Sequence, residues 1–128
     1  MKQRPTGIIR TLPSLYNGSD DPKKSARIGY RRYVRAIRDL EAEKIPAIYI
    51  AMAQLPKVEV LHMYLLIEGQ IRLRLNIVDY VPGTEQICWD NTIRQPRYWA
   101  ICSLPVSRPP EEMKRRGFQG FRYTEELW

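Results

Sequence analysis

Histidine and cysteine are the scarcest reactive residues in this chain, and their scarcity removes several kinds of chemistry. There is one histidine, His62, and two cysteines, Cys88 and Cys102. That set falls short of the four ligands a structural zinc site takes, so no metal is expected. No nucleophile elbow, phosphate-binding glycine loop or His-Glu-x-x-His pattern is present, and no catalytic residue or cofactor is assigned. No segment approaches the ~18 consecutive apolar residues of a membrane helix. Met1–Arg10 is polar and basic without the apolar centre of a signal peptide. The expectation is a cytoplasmic protein, without membrane contact, whose thiols stay reduced and fill apolar positions.

Acidic residues are also in the minority. Fourteen Asp and Glu face twenty-one Lys and Arg among 128 residues, a formal charge of +7 and a pI near 9.6. An excess of that size attracts polyanions, and nucleic acid is the commonest such partner. The length is that of one domain, 1–128, with enough apolar surface for a single core.

The chain divides by texture. Residues 1–20 read as an extended arm, in which Ile8 and Ile9 allow one short strand before a turn at Asn17-Gly18. A basic amphipathic helix is predicted over 21–44, capped by Ser19, Asp20 or Asp21, with Pro22 in its first turn and Pro46 beyond its end. Tyr30, Tyr33, Val34, Ile37 and Leu40 follow the spacing of one buried face. Arg27, Arg31, Arg35 and Arg38 form a stripe on another, where like charges repel unless an anion or a partner faces them.

From residue 46 the pattern turns to strands. "AIYIAMA" (47–53) reads as one strand. "VEVLHMYLLI" (58–67) and "QIRLRLNIVDY" (70–80) flank Glu68-Gly69, a two-residue hairpin turn. Pairing outward from that turn sets His62 opposite Leu75 and Tyr64 opposite Leu73 on the core side, with Arg72, Arg74 and Asn76 pointing away. His62 is thereby a core histidine. "RYWAICSL" (97–104) is a further strand ended by Pro105, with Trp99 buried in it. The closing "RRGFQGFRYTEELW" concentrates rings and glycines. Burying each ring contributes on the order of 2 kcal/mol, so the run is expected to dock on the sheet rather than trail as a tail.

Rings interleaved with guanidinium groups suit nucleic acid, because bases stack on aromatic faces while arginines hold phosphates. The candidate binding residues are Arg27, Arg31, Arg35, Arg38, Arg72, Arg74, Asn76, Trp89, Arg122 and Tyr123. Two other readings stand beside this one. One is a small phage or mobile-element protein that binds and modulates a host protein. The other is a small amidohydrolase around Lys57, Glu59 and Asp79.

The order "AIYIAMA", "HMYLLIEGQIRLRLNIVDY", "RYWAICSLPVSRPP" and "GFQGFRY" resembles the small PUA-like β-barrels, particularly their ASCH-type and EVE-type members, over residues 46–124. The resemblance implies a five- or six-stranded pseudo-barrel and excludes the helix; with the N-terminal amphipathic helix read from its spacing packed on it, the expected fold is α+β, a small mixed β-barrel over 46–128. It also implies a cleft for RNA or a modified nucleobase, RNA being preferred to DNA, with Trp89, Tyr64 and Tyr123 as candidate rings of a cage. For the amidohydrolase alternative the resemblance implies modified nucleosides as substrates; the hydrolase members carry a Gly-x-Lys pattern, whereas Leu55 stands two before Lys57 here, so the resemblance points to binding without catalysis.

Overall fold

The computed structural model describes residues 5–12, 34–83 and 96–128. It is an α+β structure dominated by one curled, six-stranded sheet that forms a half-barrel. The strands are β1 (Gly7–Thr11), β2 (Ile48–Met52), β3 (His62–Ile67), β4 (Gln70–Pro82), β5 (Tyr98–Ser107) and β6 (Phe121–Thr124). Their order across the sheet is β2-β5-β4-β3-β1-β6. Helix α1 runs over 34–41 within the described residues.

The Glu68-Gly69 hairpin forms as expected. Both residues have positive φ, 52° and 76°, which a tight two-residue turn demands and glycine meets without steric cost. The register does not follow the sequence expectation. His62 pairs with Asn76, Met63 with Leu75 and Tyr64 with Arg74, one residue out of the expected alignment. An irregularity between Leu65 and Leu66 supplies the extra residue, so only Leu66↔Ile71 and Ile67↔Gln70 keep the expected pairing next to the turn. A shift of one residue exchanges the faces. The main core therefore takes Met63, Leu65, Leu73 and Leu75, while Tyr64, Leu66 and Ile71 form a second cluster.

The amino-terminal arm contributes more than an arm. Strand β1 lies inside the sheet, parallel to β3 on one side and antiparallel to β6 on the other. Its close approach needs Gly7: a Cβ there would sit 2.9 Å from the His62 carbonyl oxygen and 2.9 Å from the Tyr64 ring. The resemblance drawn from 46–124 had no place for this strand. Nor does Pro105 end β5, which continues to Ser107. Asn76 pairs with Ser103 and Arg74 with Ser107, leaving 104–106 opposite Leu75 alone. A residue without an N–H is accommodated at such an irregularity because no ladder bond is lost there.

Ala36, Ile37 and Leu40 of α1 are buried in the main core, so the helix packs on the half-barrel by the face its spacing predicts. It stops short of the expected Lys44. The Glu43 N–H donates to Leu40 O (3.0 Å) and the Lys44 N–H to Asp39 O (2.9 Å), a Schellman cap with Glu43 at φ 57°. Glycine is the usual residue at that position because it lacks the Cβ that opposes positive φ. Glu43→Gly is accordingly expected to stabilise the fold by about 0.5–1 kcal/mol. An unchanged or lower urea midpoint would contradict this account of the cap.

Candidate functional site

The sheet curls until its two edge strands, β2 and β6, approach, but side chains rather than ladder bonds bridge them. Arg10 on β1 donates from Nε and Nη2 to Ala51 O on β2, both at 3.3 Å, and from Nη1 to Gly120 O at 3.1 Å. Tyr123 on β6 accepts a hydrogen bond from the Lys57 N–H at 2.7 Å. These contacts leave a cleft of about 590 Å³ along the seam.

The outer face of the hairpin is covered by the carboxy-terminal run. Phe118, Leu127 and Trp128 pack with Ile9 and Met113 over Tyr64, Leu66 and Ile71. The Leu127 N–H donates to Tyr64 Oη (3.0 Å), and Trp128 Nε1 donates to Ser107 Oγ (2.8 Å). The segment is ordered and docked, in line with its density of rings. Arg74 belongs to this closure. It donates to the main-chain oxygen of Trp128, lies 5.6 Å from that ring's centre, and sits 3.5 Å from Glu126 Oε1. Arg122 stacks 4.3 Å from the centre of the Phe118 ring.

A second cleft brings parts of two predicted basic features together. The groove between α1, the hairpin tip and residues 108–112 has a volume of about 550 Å³. Its floor is apolar, made by Ile37, Ile67, Ile71 and Leu73. Its rim carries Arg38 from the helix stripe, Arg72 from the hairpin, and Arg108, with Glu111 and Glu112 facing them. Arg108 is held by Glu41, with contacts of 2.6 and 3.3 Å. The hydrogen bond from Arg108 holds the Glu41 carboxyl below its ordinary pKa of 4.5. Arg72 donates from Nε to Ile67 O (3.1 Å) and stands 3.9 Å from Glu68. Arg35 and Arg38 are exposed and make none of the described ion pairs. Lys114 and Arg115 run beside the hairpin tip, where the Arg115 N–H donates to Gly69 O (2.9 Å).

The predicted residues are thus dispersed. Arg38 and Arg72 share the groove, Tyr123 lines the seam, and Arg74 and Asn76 lie on the covered face of the hairpin. Arg27, Arg31, Trp89 and Cys88 lie outside the described residues. Tyr64 cannot offer a stacking face as the cage expectation required, because it is fully buried in the second cluster. Lys57 and Glu59 line different clefts, and Asp79 is exposed on β4 with its carboxylate accepting the Tyr80 N–H, so these three do not converge on one pocket. Sequence reasoning missed Arg10 and Arg108. Arg10 lay in the presumed arm, and neither its pairing with Ala51 nor that of Arg108 with Glu41 has a local signal. Among the described residues no three His, Cys, Asp or Glu side chains converge as metal ligands. None of the helices there is long and apolar enough to cross a membrane. Comparison with family models, curated proteins and solved structures found no match.

His62 occupies the covered face, not the main core where the expected register placed it. It is half-buried, its ring lies 6.5 Å from that of Tyr64, and its Nδ1 has no hydrogen-bond partner among the described residues. Burial first, then the Arg74 charge, holds its pKa below the ordinary 6.5, while Glu126 opposes them. Because the folded state disfavours the imidazolium, unfolding takes up a proton as the pH falls through the unfolded value. Stability is therefore expected to decline on acidification below about pH 6.5, and His62→Gln to flatten that decline. Equal slopes of denaturation midpoint against pH in the two proteins would refute this.

The Trp128 ring closes the same face. Trp128→Ala is expected to cost about 2–3 kcal/mol, less than for a fully buried tryptophan because the ring is half-buried. Urea unfolding measures the loss, and a change under half a kcal/mol, roughly the effect of an ordinary surface substitution, would show that the docked run is not holding the fold.

Proposed function

We propose that this chain is a non-catalytic nucleic-acid-binding module that holds RNA, in preference to DNA, along the groove between α1 and the hairpin tip. The observation that carries the reading is the meeting of Arg38 and Arg72, from two separately predicted basic features, on the rim of one apolar-floored groove. The chain's charge of +7 supplies the long-range attraction. An apolar floor suits a base or ribose face, while rim guanidiniums suit phosphate oxygens. Arg35, Lys114 and Arg115 extend the track beyond the groove. Arg74 and Arg122 are left out of this contact set, since both are engaged with the docked carboxy-terminal run.

The test uses the full chain and a fluorescein-labelled single-stranded oligouridine, with anisotropy read over a salt series. Each phosphate neutralised on a single strand lowers the log–log salt slope by about 0.7, so three contacts give a slope near −2 on this order-of-magnitude scale. Arg38→Ala and Arg72→Ala are each expected to weaken binding roughly fivefold and to flatten the slope, with an oligodeoxythymidine binding more weakly than the RNA. No measurable binding at low salt, or variants indistinguishable from the parent, would overturn the proposal.

A further inference from the structure

The seam between β2 and β6 carries a different kind of site. Both strands are edges of the sheet, five and four residues long, and among the described residues neither has a ladder partner on its outer side. Unpaired strand edges normally invite pairing, and proteins manage them by covering or blocking them. Here the cover is Arg10, whose guanidinium occupies the carbonyls of Ala51 on one edge and Gly120 at the start of the other. Tyr123, 42% exposed, adds a single hydrogen bond from the Lys57 amide across the same gap.

The charge of the cleft is one-sided. Arg10 and Lys57 line it, with Gln54 and Gln119 as neutral hydrogen-bonding groups and Phe121 and Tyr123 as apolar walls. None of the described residues lining it is a carboxylate. A groove bordered by two strand edges, whose described lining holds cations and rings, matches an extended chain bearing acidic side chains: its backbone answers the edges and its carboxylates answer Arg10 and Lys57.

We infer that the seam is a strand-acceptor site for an extended acidic segment of a partner protein, which pairs with the β2 and β6 edges in place of the Arg10 clasp. Such addition completes the half-barrel, replacing two side-chain bridges by main-chain ladders. This inference is independent of the RNA reading, since the groove under α1 and the seam share no lining residue.

The experiment uses the full chain and a labelled, end-blocked octapeptide alternating valine and glutamate. Two controls accompany it: the same peptide with lysine for glutamate, and one with proline at alternate positions to remove backbone donors. The glutamate peptide is expected to bind at least roughly tenfold more tightly than either control, and to slow amide hydrogen exchange in β2 and β6. Lys57→Glu, on an exposed side chain, is expected to reduce the preference for glutamate over lysine by roughly fivefold or more. The inference fails if the glutamate peptide does not bind, if the proline peptide binds equally well, or if protection appears outside β2 and β6. It fails too if Lys57→Glu leaves the peptide preference unchanged.

Discussion

Strand β3 is apolar on both faces, and that constraint organises the rest of the molecule. Met63, Leu65 and Ile67 point into the half-barrel, while Tyr64 and Leu66 point out of it, and all five are buried. A strand with two apolar faces needs two covers, because exposing either side would leave several side chains in water at roughly 1.5–3 kcal/mol each. The inner cover is the curl of the sheet itself, completed by Ala36, Ile37 and Leu40 of the helix. The outer cover is the carboxy-terminal run, which lays Phe118, Leu127 and Trp128 over the outward residues. Docking that run in turn requires its polar groups to be satisfied, and the Tyr64 hydroxyl, Ser107 hydroxyl and Arg74 guanidinium do this.

This arrangement sorts the arginines by role. A guanidinium has five donors in a fixed fork and can tie several carbonyls together without losing its charge. Arg10 ties the two edges of the sheet, and Arg74 ties the last residues to the hairpin. Such residues belong to the architecture, and the composition counts them with the rest. The cations on the groove rim and beside the hairpin tip are the ones the proposed RNA contact uses, and two of the rim arginines are already steadied by Glu41 and Glu68. Those carboxylates restrict the two guanidiniums and also offset part of the rim's charge, as do Glu111 and Glu112.

Several elements were legible without coordinates. The Glu68-Gly69 turn was, because only residues tolerating positive φ close a two-residue hairpin. So was the buried face of the helix at Ile37 and Leu40, and so was the docking of the final rings, since solvating them would cost too much. Trp99 and Cys102 are buried as their strand pattern implied, and burial pushes the Cys102 thiol up to about 12. The hairpin register was not legible. Apolar residues on both sides of β3 give two alignments with similar patterns, and the irregularity at Leu65/Leu66 chooses between them. Pro105 misled for a related reason: its missing N–H falls where the ladder is already interrupted.

The chain's local chemistry by itself determined its turn, its helical face, its apolar strands and its positive charge, since each follows from spacing or composition within a few residues. Only the tertiary structure decided which strands are neighbours. It set β1 between β3 and β6, some fifty residues from one and over a hundred from the other, a placement no local pattern encodes. It also decided which arginines hold the protein together and which face a groove, because that depends on carbonyls and carboxylates brought close by folding, not by sequence.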